Sequence, residues 1–291
     1  MKTYSFRLLN VFAESTFGGN PLCVFENAAD MQDEQMQALA LQFNLSETCF
    51  ILPSDKASAR MRIFTTGHEM PFAGHPTLGT AHVVREVFDT GDRLSLECKA
   101  GVVAVEASGD HWTFTAPTPG GPKTMAPDLP AAQIAALLGL ATDDLLGEPM
   151  WVDTGSDQLL IAVRNDDAVR RVRPDSAFLA DWPPSRLGRR TAYVFAVEND
   201  TAVQGQQIQV RARYFFASQG GGIAEDPGTG SACANLGGWW IAAGRKLPAR
   251  FSVAQGEQVL RPCRLSLQVT EDQQIRVGGR VMEIGRGTVS I

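Results

Sequence analysis

The chain has 291 residues, 44% hydrophobic and 20% charged, which is enough for about two domains with cores of their own. Its net charge of −6 comes from dispersed acids, with no Lys/Arg stripe to follow a phosphate backbone, so nucleic acid is excluded as a partner. The opening MKTYSFRLLNVF reads as a strand and not as a signal peptide, and no apolar run approaches the ~18 residues of a membrane span, so the expectation is a cytoplasmic protein with no membrane partner.

Residues 4–12 alternate as a strand, and a Gly/Asn/Pro turn at 18–21 leads into a second strand ending near 25. Asp30 is expected to cap a helix whose apolar positions Met36, Leu39, Ala40 and Phe43 recur at helical spacing, and Asn44 stops it. Residues 45–52 read as a strand carrying one carboxylate, Glu47, among mostly apolar neighbours. After a strand at 59–64, Pro76 is expected at the first position of a helix that is free of formal charge from 77 to 84. Strands at 95–98, 102–107 and 112–116 form a meander.

Five prolines and two glycines in residues 115–130 mark a linker. It divides the chain into residues 1–118 plus about 280–291, and residues 119–279. The second part holds helices at 131–138 and 142–146, a strand-turn-strand at 151–163, a short helix at 174–182, and strands at 191–197 and 207–216. The run EDPGTGSA at 225–232 then opens a helix uncharged from 231 to 243, and strands with turns at 272–273 and 278–279 follow to the end. A helix apolar all round must be covered on every side, and its first turn leaves amides and a dipole suited to an anion. Asp226 stands beside that turn.

The two halves echo each other. Gly19 to Val24, then Arg62-Ile-Phe, then Gly74-His75 and a buried helix are matched by Gly155 to Val163, then Arg213-Tyr-Phe, then Gly228 to Ala232 and a buried helix. Two similar domains facing each other across a cleft would bring both helix N-termini, with Glu47, His75 and Asp226, around one small ligand. The five cysteines (Cys23, Cys49, Cys98, Cys233, Cys263) are scattered without a C-x-x-C pair, and read as packed thiols and not as disulfides or a zinc site.

FGGNP at 17–21, NLSET at 44–48, EMPFAGHPT at 69–77, EDPGTGSA at 225–232, QG at 255–256 and RP at 261–262 resemble, in this order, the phenazine-biosynthesis isomerase (PhzF-like) family within the diaminopimelate-epimerase fold. The resemblance covers essentially the whole chain. It implies an α+β protein of two pseudo-symmetric domains, each a curved, mostly antiparallel sheet or barrel around a central buried helix. It further implies a homodimer, no cofactor, no metal, and Glu47, His75, Asp226 and Ser231 as functional residues. Racemases of this fold place a cysteine before the Gly of each helix-leading turn. Ala73 and Pro227 occupy those positions here, which excludes two-thiol chemistry at them.

The chemistry implied is proton relocation on a small-molecule carboxylate substrate. Glu47 is the expected general acid/base, since desolvation raises a carboxylate's pKa toward the working pH. His75 would hold the substrate or tune Glu47, and Asp226 would orient an amino or hydroxyl group or share the relay. Asn20, Gly74, Gly230 and Ser231 are the expected substrate-binding residues, with helix-end amides receiving the carboxylate. His68, His82 and His111 are read as structural, with no metal cluster beside them. The alternatives are an epimerase using Glu47 with Asp226 or His75 as opposing groups, and a metabolite-binding protein without turnover.

Overall fold

Short strands with apolar alternation account for most of the computed structural model, which describes residues 1–118, 120–186, 188–198, 206–218 and 220–291. They group into two units, Met1–Pro117 with Arg276–Ile291, and Thr118–Ile275. Pro119 of the expected linker lies outside the described residues.

The first unit contains β1 (Thr3–Val11), β2 (Asn20–Phe25), α1 (Asp33–Phe43), β3 (Glu47–Leu52), β4 (Ala59–Phe64), β5 (Glu69–Met70), α2 (Gly74–Phe88), β6 (Arg93–Cys98), β7 (Gly101–Ser108) and β8 (His111–Thr115). The second contains β9 (Lys123–Met125), α3 (Ala131–Leu137), β10 (Met150–Asp153), β11 (Asp157–Val163), α4 (Asp166–Arg171), β12 (Thr191–Glu198), β13 (Ile208–Ala217), β14 (Ile223–Asp226), α5 (Gly230–Ala242), β15 (Ala249–Gln255) and β16 (Cys263–Val269). A last long strand, β17 (Ile275–Ser290), carries the chain back into the first unit.

In the first unit the pairing β1-β2-β3-β4-β6-β7-β8-β17 returns to β1, so eight strands close a barrel with no free edge. Only β2/β3 and β4/β6 run parallel. Helix α2 fills this barrel, with every residue from Gly74 to Val84 buried. Its approach to the wall is close enough that a Cβ at Gly79 would stand 2.4 Å from Leu22 Cδ2. The second unit repeats the plan with the ladder β9-β10-β11-β12-β13-β15-β16, again parallel at two places, β11/β12 and β13/β15. Helix α5 is buried along its length except at Ser231 and its last turn. The α+β class and the buried central helices expected from the sequence are both present.

Several local expectations differ. The N-cap of α1 is Gln32, whose N–H donates to Gln35 Oε1 at 2.9 Å. Asp30 instead receives Lys2 Nζ at 2.5 Å and the Tyr4 hydroxyl at 3.2 Å. Pro76 is the third residue of α2, behind Ala73 as N-cap. The segments 142–146 and 174–182 form 3-10 turns, Thr142–Asp144 and Ser176–Asp181. Helix α4, unexpected from the pattern, is started by the Asn165 side chain accepting from the Ala168 amide. The presumed linker contains β9, paired with β10. Gly278 and Gly279 form no turn: they lie within β17 opposite Thr113 and Trp112, and a Cβ at Gly278 would fall 2.5 Å from the Trp112 carbonyl oxygen.

Candidate active site

Glu47 opens β3, set beside Leu22 by the parallel pairing with β2, and its side chain is 15% exposed. Its Oε2 stands 3.4 Å from Nε2 of His75, the second residue of α2. On the other side of the ring, Nδ1 lies 3.2 Å from the Asn20 amide nitrogen, and the Asn20 oxygen accepts the Ser46 hydroxyl at 3.2 Å. The Ser46 bond orients the amide so that its nitrogen faces Nδ1, and Nε2 is the ring atom turned to Glu47. Burial pulls the His75 imidazole down to about 3 against an opposing pull from the Pro21 carbonyl, which keeps the ring neutral at ordinary pH.

The N-cap residue of α2, Ala73, makes no side-chain cap bond, and Pro76 contributes no N–H. The helix ladder begins with the Thr77 amide donating to the Ala73 carbonyl at 3.3 Å, so the Gly74 and His75 amides stand outside it. The N-cap of α5, Thr229, likewise makes no side-chain cap bond. There the ladder begins at Cys233, whose amide donates to Thr229 O at 2.9 Å, leaving three amides outside it, those of Gly230, Ser231 and Ala232. Both starts are built to receive negative charge.

In the second unit Ser231 Oγ accepts from Gln158 Nε2 at 3.1 Å, at the place where His75 meets Asn20 in the first. Asp226 ends β14, and its Oδ2 accepts the Thr229 hydroxyl. Gln255, 1% exposed, closes this turn by donating to the Asp226 carbonyl at 2.9 Å and to Thr229 Oγ1 at 3.0 Å. Gly256 follows with φ +82°, where a Cβ would meet Arg261 O at 2.3 Å and Pro227 O at 2.5 Å. The QG and RP pairs of the sequence therefore brace the Asp226 turn.

Matching ion pairs hold the two hairpins that lead into the helices. Arg62 of β4 donates to Glu69 of β5 at 2.9 and 2.8 Å, and Arg213 of β13 donates to Glu225 of β14 at 3.0 and 2.7 Å. Each guanidinium also lies over a phenylalanine two residues on, Phe64 at 5.0 Å and Phe215 at 4.7 Å.

Of the expected residues, Glu47, His75, Asn20 and Gly74 come together in the first unit, and Asp226, Gly230 and Ser231 in the second. Ser46, Gln158 and Asn235 escaped the sequence reading. Asn235 ties α5 to the β10–β11 turn: its Oδ1 accepts from the Thr154 amide and hydroxyl at 2.9 and 2.6 Å, and its Nδ2 donates to Ser156 O at 2.8 Å and to Gln158 Oε1. A lone amide inside an uncharged helix was the available signal. All five cysteines are free and buried, and burial pushes the Cys23, Cys49 and Cys233 thiols up, away from acid/base use.

Residues 9–287 match the family model described as phenazine biosynthesis-like protein. The chain is 38% identical to a protein of Pasteurella multocida named as an uncharacterized isomerase, over 99% of this chain and 94% of that one. It is 32% identical to the trans-2,3-dihydro-3-hydroxyanthranilate isomerase of Pseudomonas aeruginosa, over 89% of this chain and 87% of that one. The crystal structure of a PhzF-family phenazine biosynthesis protein from Bacillus anthracis superposes with a TM-score of 0.84 at 25% identity, covering all of both chains. The chain therefore belongs to the phenazine biosynthesis-like protein family, a family of isomerases and epimerases.

Proposed function

We propose that the protein is an isomerase that relocates a proton on a small carboxylate-bearing metabolite, a cyclic amino or hydroxy acid, with Glu47 as general acid/base. The observation that carries this reading is the Glu47 carboxylate 3.4 Å from a buried, neutral imidazole in the first turn of a helix whose N-cap residue is alanine. Ionised Glu47 takes a proton from a carbon next to a carboxylate or an unsaturated system. The electron pair shifts along that system, and the proton returns at another carbon on the same face.

His75 turns Nε2 to Glu47 at 3.4 Å without hydrogen bonding it as the two side chains stand, and as a neutral ring it can donate to the carboxylate or, in its other tautomer, accept from the carboxylic acid once the two close up. Amides at Gly74 and Gly230 and the Ser231 hydroxyl are substrate-binding groups for carboxylate or enolate oxygen, Asn20 fixes the His75 ring, and Asp226 orients an amino or hydroxyl substituent.

The Pseudomonas aeruginosa relative makes trans-2,3-dihydro-3-hydroxyanthranilate the first compound to test. It and related cyclic amino and hydroxy acids are incubated in heavy water with the wild type and with Glu47→Gln. Isomerisation with deuterium uptake by the wild type alone is expected. Exchange that survives in Glu47→Gln overturns the role of Glu47, and absence of exchange across the whole panel overturns the substrate class.

A further inference from the structure

His82, Glu86 and Glu283 form a second titratable cluster in the first unit, in which the two carboxylates are partners of the buried Arg7 and the imidazole is not. The sequence showed no metal cluster at His82 because Glu283 lies far along the chain, on β17. Folding brings one donor atom of each residue within 4.8 Å of the other two. His82 sits two helical turns beyond His75 on α2, roughly 10 Å along the axis.

The His82 side chain is the unexplained member. It is only 8% exposed, its Nδ1 is buried without a hydrogen-bond partner, and its Nε2 stands 3.6 Å from Glu86 Oε1, beyond hydrogen-bond length. Two donors about 2.1 Å from one tetrahedral ion stand about 3.4 Å apart, so this spacing suits a shared ion better than a direct bond. His and Glu at i and i+4 also project from one face of the helix.

The surrounding charges leave room for a cation. Arg7 donates to Oε2 of both Glu86 and Glu283, and to Glu26, so Glu86 Oε1 is the oxygen that faces His82. Glu283 Oε1 is held at 2.7 Å by Arg286, a side chain 63% exposed that can swing away. Glu26, Glu86 and Glu283 thus face Arg7, Arg286 and, on the same helix, Arg85, so a bound ion takes the place of the exposed Arg286, and Glu86, 43% exposed, gives it a path in.

We propose that His82, Glu86 and Glu283 bind one borderline divalent ion of the Zn2+ or Co2+ class, which pins the C-terminal half of α2 to β17. One imidazole with two carboxylates is a donor set for such ions. Because His82 Nδ1 lacks, among the described residues, the acceptor that tight sites place behind a ligating histidine, the affinity is about 10- to 100-fold weaker than that of a site with one.

The test titrates chelator-treated full-length protein with Zn2+ by calorimetry, in a His68→Asn/His111→Asn background that removes the less buried imidazoles. One equivalent is expected to bind, and His82→Asn or Glu283→Gln is expected to weaken binding tenfold or more, with circular dichroism confirming the fold. Crystals of the wild type soaked in Co2+ are read by anomalous scattering, which decides the question even if both variants misfold. A peak between the three side chains supports the site. No binding by the parent, undiminished binding in both folded variants, or a peak confined to other residues overturns it.

Discussion

The two units share a scaffold and differ in chemistry. Each has a hairpin clamped by a forked Arg–Glu pair, a buried helix whose N-cap residue makes no side-chain cap bond, and an amide side chain that meets the helix's second residue. In the first unit that second residue is His75 beside Glu47, and in the second it is Ser231 held by Gln158. The fifth residue after the helix start is Gly79 in one, pressed against Leu22, and Asn235 in the other, with four hydrogen bonds. One half therefore carries a carboxylate 3.4 Å from a buried imidazole, while the other carries a hydrogen-bonded amide frame around its helix start. Under the proposed function this difference assigns proton transfer to the first unit and substrate binding to the second.

Breaking the acid/base pair should have the largest effect. Glu47→Gln is expected to lower kcat by about 10³-fold, the usual scale for a general base, with little change in thermal stability. Ser231→Ala in the other unit should act mainly on KM. Equal kcat losses from both substitutions would erase the division of labour.

The hairpin clamps sharpen the comparison, because they are duplicated but not equivalent. Glu69 also receives Lys99 Nζ at 2.6 Å, whereas among the described residues Arg213 is the cation recorded on Glu225, whose side chain is 8% exposed. Arg213→Met leaves a buried carboxylate uncompensated and should cost about 3–5 kcal/mol of unfolding free energy. Arg62→Met leaves Glu69 with Lys99, and about 1–2 kcal/mol is expected. Urea titrations followed by tryptophan fluorescence can rank them, and a larger loss at Arg62 would contradict the assignment.

The central helices extend the same contrast to packing. Asn235→Ala strands donors and acceptors of Thr154, Ser156 and Gln158 and should cost about 3 kcal/mol. Gly79→Ala meets the end of a flexible leucine and should cost about 1–2 kcal/mol through overpacking. Calorimetric melting of the two variants reads the difference directly.

Much of this was legible in the sequence because the signals were local. Two segments without charge could only be buried helices, and Glu47, His75, Asp226 and Ser231 sit in short ordered motifs beside them. The echo between Arg62 and Arg213 was visible, but their shared purpose required Glu69 and Glu225 to be seen on the facing strands. Residues that act across long separations were not legible: nothing near Asn235 points to Thr154, and nothing near His82 points to Glu283. Local rules misled where tertiary contact decided. Adjacent glycines at 278–279 suggest a turn, yet Gly278 serves a strand that passes too close to Trp112 for a side chain. Pro76 obeys the preference for helix starts only loosely, since Gly74 and His75 precede it in the helix with their amides outside the ladder.

The last prediction concerns pH and tests whether His75 is the buried neutral ring that distinguishes the first unit. Burial lowers its folded pKa from 6.5 to about 3, so between those values the unfolded chain binds a proton that the folded protein does not. Unfolding free energy then rises with pH across this window: the His75 contribution is complete above about 6.5 and is lost as pH falls toward 3. Its slope approaches about 1.4 kcal/mol per pH unit in the middle of the window. Carboxylates held below their usual range, such as Glu69 and Asp144, give slopes of the same sign, so the quantity to measure is the difference between wild type and His75→Asn. Denaturant titrations at intervals from pH 7 to pH 4 should show the variant losing stability less steeply by roughly that amount. The same neutral ring predicts no inflection near pH 6.5 from His75 in kcat. Parallel stability curves for the two proteins would mean that the imidazole takes up its proton in the folded state, and the neutral partner proposed for Glu47 would have to be abandoned.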